Sequence, residues 1–176
     1  MIKLYLKNLR KNKEECSIGK WIELPAADKE IEEVLKEIGI NDEQEEYFIA
    51  DYECDVAGIH IKEDSSIEQL NDMAVQLFYM DEEEVKICST IMKNENCTLD
   101  QAIKQKDMRE VITLDKNESN TALNLAYSYI KKMHDGDVIN MDKDTLAQYF
   151  DYERFGEDLK MKFNIDDDET IAVSNI

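Results

Sequence analysis

Ile2-Lys3-Leu4-Tyr5-Leu6-Lys7 alternates apolar and polar residues with period 2, the pattern of a half-buried strand. A polar stretch follows, and then Gly19-Lys20-Trp21-Ile22-Glu23-Leu24 reads as a second strand, closed by Pro25, the one proline of the chain. From Asp28 the period changes. Ile31, Val34, Leu35 and Ile38 fall at i, i+3, i+4 and i+7, and Gly39 stands where a C-terminal cap belongs, so an amphipathic helix is expected. Tyr47 to Tyr52 returns to strand-forming residues. Strands and a helix in this order specify an α+β unit, assigned to residues 1–62.

The character changes beyond it. Ser65-Ser66-Ile67-Glu68 has capping-box spacing, and Ile67, Leu70, Ala74, Leu77 and Phe78 share one helical face. Asp81 with Glu84 opens another helix, carrying Val85, Cys88, Ile91 and Met92, and Thr98 with Gln101 opens a third. Residues 63–107 are therefore read as a small helical unit, near the lower size limit for independent folding and expected to lean on its neighbours. A third unit, 108–176, starts with the strand candidate Val111–Leu114 and a helix capped by Ser119. It continues through a helical segment from Thr145 to about Leu159 into a tail with strand positions at Phe163, Ile165, Ile171 and Val173. The triplet Asp-Tyr-Glu occurs at 51–53 and again at 151–153, each after a Tyr-Phe pair, a hint of duplication.

Of the 176 residues, 41 are acidic and 21 basic, a net charge of −20. Charged residues make up 35% of the chain, above the usual figure of about 25%, while 43% are hydrophobic. The acid excess therefore sits on a chain that can bury a core, not on a disordered one. Affinity for phosphate needs clustered Lys and Arg, so direct nucleic-acid binding is excluded, and an anionic membrane surface is disfavoured on the same grounds. No apolar run approaches the roughly 20 residues that span a bilayer, and the N-terminus lacks a signal-peptide block, so a cytoplasmic protein is expected. By unit the charge is −6, −7 and −7, spread over a folded body instead of gathered in a tail. Such self-repulsion costs stability and points to a functional reason.

Chemistry-bearing motifs are scarce. Cys16, Cys54, Cys88 and Cys97 form no C-x-x-C pair and have no histidine at ligand spacing, so buried free thiols are expected. There is no G-x-S-x-G, and five glycines form no phosphate-cradling loop. Asp115-Lys116-Asn117-Glu118-Ser119 begins like a calcium loop, but Asn120 and Ala126 stand where glycine and glutamate are needed. His134 with Asp135 and Asp137, or Asp166 to Asp168, offers oxygen ligands for a divalent cation, against which a solvated turn is the simpler reading. No cofactor, metal or catalytic residue is assigned.

Three blocks carry a resemblance: Gly19-Lys20-Trp21, then Glu46-Tyr47-Phe48-Ile49-Ala50-Asp51-Tyr52-Glu53, and Tyr149-Phe150-Asp151-Tyr152-Glu153-Arg154-Phe155-Gly156-Glu157-Asp158-Leu159. In these blocks, and in their order, spacing and acidity, the chain resembles the ArdA antirestriction family. The resemblance implies an elongated homodimer of three small α+β domains, joined through the third, that mimics bent B-form DNA. It implies occupation of the DNA groove of type I restriction–modification enzymes, and carriage by mobile genetic elements. Trp21, Tyr47, Tyr52, Tyr149, Tyr152 and Phe155 are expected to be core and domain-junction aromatics, with Gly156 a turn or close-packing position. Tyr149, Phe150, Tyr152, Phe155 and Phe163 exceed the needs of one small core and are the expected dimer seam.

The mimicry would reside in carboxylates off the apolar stripes: Glu30, Glu33 and Glu37 in the first unit, and Glu68, Asp72, Glu82 and Glu83 in the second. Duplex DNA carries one charge per roughly 1.7 Å of axis, so two chains of this charge match about 20 base pairs, or roughly 68 Å of duplex. A compact sphere of this length would have a radius of gyration of only about 16 Å, so the match requires an extended arrangement. Two other readings compete: an acidic interaction module for another basic DNA-binding protein, such as a histone-like or recombination protein, and a metal-dependent enzyme.

Overall fold

A computed structural model describes residues 1–9, 18–40, 46–133, 148 and 150–175. The chain is α+β and gathers into two compact units, Met1–Val85 and Lys86–Ile176. The boundary falls inside the helical stretch 63–107.

In the first unit, β1 (Ile2–Asn8) is the centre of a three-stranded antiparallel sheet between β2 (Gly19–Leu24) and β3 (Tyr47–Cys54). Ile2 pairs with Leu24 and Leu4 with Ile22, so the alternation visible in the sequence puts Ile2, Leu4, Leu6, Ile22 and Leu24 in the core. Helix α1 (Asp28–Glu37) adds Ile31 and Val34 to that core. It ends as expected at Gly39, whose φ of 86° admits a glycine without strain. The Gly39 and Ile40 amides donate to the carbonyls of Lys36 and Leu35, the paired bonds of a Schellman cap.

Helix α2 (Ile67–Tyr79) belongs to this unit as well. Asn71 takes both backbone groups of Ala26, accepting at 2.8 Å and donating at 3.0 Å, and the Ile67 amide donates to the Tyr47 hydroxyl at 2.8 Å. The helix cap is Ser66, accepting from Gln69, one residue later than Ser65 with Glu68; Ser65 instead accepts from the Lys62 amide.

Helix α3 (Glu82–Glu95) opens with the expected reciprocal box, in which the Glu84 amide donates to Asp81 and the Asp81 amide donates to Glu84. Helix α4 (Leu99–Lys106) carries the Thr98–Gln101 box. In the second unit, β4 (Val111–Thr113), β5 (Phe163–Ile165) and β6 (Ile171–Ser174) form an antiparallel sheet with β6 central. Helices α5 (Thr121–Met133) and α6 (Tyr152–Lys160) pack on it, burying Ile112, Leu114, Leu125, Leu159, Phe163 and Ala172 together. Asn120, not Ser119, caps α5, accepting from the Leu123 amide at 3.1 Å. Most of the helical segment expected from Thr145 lies outside the described residues, which show α6 capped by Asp151. The two Asp-Tyr-Glu triplets differ in structure: one lies in β3, the other starts α6. They are therefore not equivalent elements of a duplication.

Arg109 ties the second unit together. Its side chain is 1% exposed and donates to the Ser174 carbonyl at 2.8 Å, to Gln105 at 2.6 Å and to Glu95, linking the ends of α3, α4 and β6.

Candidate functional site

The acidic surface is built by helix periodicity. On α1, Ile31 and Val34 face the core, which leaves Glu30, Glu33 and Glu37 exposed on the outer faces. On α2, Ile67, Leu70 and Ala74 take the buried positions and leave Glu68 and Asp72 exposed. Glu82 and Glu83 are exposed in the first turn of α3, where negative charge complements the helix dipole. All seven carboxylates therefore lie on the first unit. Glu37 forms an ion pair with Lys20.

Sequence reasoning missed further members of this surface. Ile49 is the one buried residue of β3, and Ala50, Asp51, Tyr52 and Glu53 after it are all exposed, so the strand outruns the core. Asp51, Glu53, Asp55, Glu63 and Asp64 extend the acidic surface from there. Among the described residues of the first unit, 17 carboxylates are exposed, against three lysines, Lys29, Lys36 and Lys62. Two of the half-buried lysines are engaged, Lys3 with Glu53 at 3.6 Å and Lys20 with Glu37. The charge that divides evenly over three sequence segments divides unevenly over the two packed units. The first holds 23 acidic and 9 basic residues, a net −14, and the second 18 and 12, a net −6.

Asp166 to Glu169 serve the fold. The Asp166 carboxylate accepts from the amides of Thr170 and Ile171 and from the Thr170 hydroxyl, closing the β5–β6 turn. Asp167 pairs with Lys93, Asp168 with Lys86 at 3.3 Å, and Glu169 accepts from the Thr121 hydroxyl. Asp115 is likewise spent on a turn: its carboxylate accepts from Asn117, and buried Asn124 bonds both its backbone groups. His134, Asp135 and Asp137 lie outside the described residues, among which no three His, Cys, Asp or Glu side chains come together to hold a metal ion. Burial pushes the thiols of Cys54 and Cys97 up, away from the lowered pKa that makes a cysteine nucleophilic, and Cys88 is buried. Cys16 lies outside the described residues.

The aromatic residues divide differently from expectation. Tyr152 is buried in the second unit, stacked on Tyr127 at 4.5 Å, and burial raises its phenol pKa. Phe155 packs on the same core, and Gly156 of α6 lies directly against the Ala122 backbone of α5. Tyr47 is half-buried and bonded to α2. Trp21, however, is 43% exposed, and Tyr52 is also exposed, so neither is a core residue. Pairing opposite Tyr5 puts Trp21 on the sheet face away from Leu4 and Ile22, where the two rings lie 5.2 Å apart. Of the expected dimer seam, Tyr152, Phe155 and Phe163 are spent on the unit's own core and Phe150 is exposed; Tyr149 lies outside the described residues.

A family model described as antirestriction protein (ArdA) matches residues 4–170. The chain belongs to the ArdA family. ArdA membership gives it an antirestriction function, directed against restriction–modification. The match runs through both units, so the acidic first unit and the less acidic second are parts of one ArdA chain. No curated protein matches the sequence. No helix among the described residues is long and apolar enough to cross a membrane.

Proposed function

We propose that the protein is a non-enzymatic DNA mimic that competes with duplex DNA for the binding groove of type I restriction–modification enzymes. The observation that carries this reading is the surface of the first unit, 17 exposed carboxylates against three exposed lysines among its described residues. A DNA-binding groove is lined by Lys and Arg that neutralise phosphates, and such contacts position a duplex without reading its bases. A carboxylate surface that meets the same cations needs no sequence, and can block enzymes with different recognition sites.

In this reading Glu30, Glu33, Glu37, Glu68, Asp72, Glu82 and Glu83 act collectively, because an exposed ion pair is worth only about 0–1 kcal/mol. The chain functions as a cytoplasmic homodimer joined through residues 108–176 and is carried by mobile elements. Exposed Phe150 supports an apolar seam there. The test is cleavage of unmodified DNA by a purified type I enzyme in the presence of the protein. Inhibition relieved by excess cognate DNA is expected. If the enzyme ignores the protein while another basic DNA-binding protein binds it, the broader reading as an acidic interaction module replaces this one.

A further inference from the structure

Among the carboxylates of the first unit lies an apolar feature that charge mimicry does not use. Phe78 and Tyr79, at the end of α2, are 71% and 81% exposed, and their rings meet edge to face at 5.6 Å. Phe78 also borders a groove of about 450 Å³ whose walls include Leu24, Pro25, Val56, Leu77 and the carboxylate-bearing Glu23. Aromatic side chains this exposed are costly on a soluble surface, and aromatic residues are the ones that most often dominate interface energetics.

The surrounding charge says what covers them. Asp81, Glu82 and Glu83 are exposed immediately after the pair, and Glu68 and Asp72 lie on the same helix. An occupant has to present positive charge together with apolar or planar surface. Arginine does both: its guanidinium stacks on an aromatic face while its fork binds carboxylates. The chain already holds one cation over an aromatic ring, with the Lys7 ammonium 5.7 Å from the centre of the Tyr5 ring.

We infer that Phe78 and Tyr79, with the groove beside them, are an aromatic anchor for an arginine-bearing surface of the partner's DNA groove, adding to charge mimicry an apolar contact that a phosphate backbone lacks. The inference rests on the proposed function, and it separates two components of binding. Charge pairs weaken as salt rises, whereas aromatic burial does not.

The test is the dissociation constant for a purified type I methyltransferase across a salt series. It compares the wild type with Phe78→Ser/Tyr79→Ser, with Tyr79→Ser alone, and with the charge variant Glu68→Gln/Asp72→Asn/Glu82→Gln/Glu83→Gln. Circular dichroism verifies each fold. The aromatic double variant is expected to bind about 30-fold more weakly at every salt concentration, with the slope of log Kd against log salt unchanged. Tyr79→Ser, outside the groove wall, is expected to give a smaller parallel shift, and the charge variant a flatter slope. Wild-type affinity in both aromatic variants overturns the anchor while leaving the mimic reading intact, and no binding by the wild type removes both. If the aromatic substitutions change the protein's sedimentation mass but not its enzyme affinity, the patch joins copies of this chain and the inference is wrong.

Discussion

Replacing Gly156 by alanine tests the packing account of the second unit. A β-carbon at Gly156 would stand 1.9 Å from the Ala122 carbonyl oxygen, 2.4 Å from its carbonyl carbon and 2.9 Å from its Cα. Comfortable carbon contacts are about 3.5–4.0 Å, so α5 and α6 must part by roughly 1.5 Å at this contact. The obstacle is main chain and has no rotamer to change, which puts the cost near the upper end of the usual overpacking range, about 3 kcal/mol. Alanine recovers about 1 kcal/mol of helix propensity, leaving a net loss of about 2 kcal/mol. For a unit of this size that lowers the unfolding midpoint by about 8–16 °C. Thermal unfolding followed by circular dichroism measures it. Gly19→Ala is the comparison: a β-carbon there meets the Tyr5 ring end at 2.4 Å and Lys7 Cγ at 2.9 Å, side chains that can swing aside, so a smaller shift is expected. A Gly156→Ala midpoint equal to or above that of the wild type refutes the reasoning.

Arg109→Met removes the donors that join Glu95, Gln105 and Ser174, and is expected to cost about 2–3 kcal/mol in urea unfolding, because the carbonyl and amide partners lose a charged hydrogen bond. Single substitutions such as Glu30→Gln or Glu68→Gln are expected to change inhibition less than about fivefold, while four neutralised together on the first unit weaken it progressively. Four neutralisations on the first unit are expected to act more strongly than four on the second, matching net charges of −14 and −6; inhibition titrations of the two block variants check it. Binding of the protein to the enzyme is expected to fall less steeply with salt than binding of DNA, whose condensed counterions give a slope of about −0.9 per neutralised phosphate; a steeper slope for the protein contradicts the mechanism.

Regular elements were legible wherever one local period governed them. Ile2, Leu4 and Leu6 alternate because one sheet face is buried, and Ile31, Val34 and Ile38 recur because one helix face is buried. The Asp81–Glu84 and Thr98–Gln101 boxes were readable because both partners lie within one turn. Ser65 and Ser66 each had an acceptable partner three residues on, and contacts elsewhere decided between them: Ile67 bonds Tyr47, and Ser65 bonds Lys62. Trp21 was misread by residue type, since aromatic residues favour cores, although the same alternation that buries Ile22 and Leu24 turns Trp21 outward. The roles of Asp167 and Asp168 depend on Lys93 and Lys86, more than 70 residues away, which no local pattern carries. The exposure of Glu30, Glu33 and Glu37 followed from the helix period. The concentration of acid on one unit did not, because packing draws its boundary at Val85, inside a stretch that composition treats as uniform.

The central claim is that the protein and duplex DNA occupy the same groove. Fluorescence anisotropy of labelled cognate DNA on a type I methyltransferase, titrated with this protein, tests it most directly. Full displacement is predicted, with an apparent affinity for the protein that falls in proportion to the DNA concentration. A stable complex containing enzyme, DNA and protein together, with DNA affinity unchanged, would contradict it.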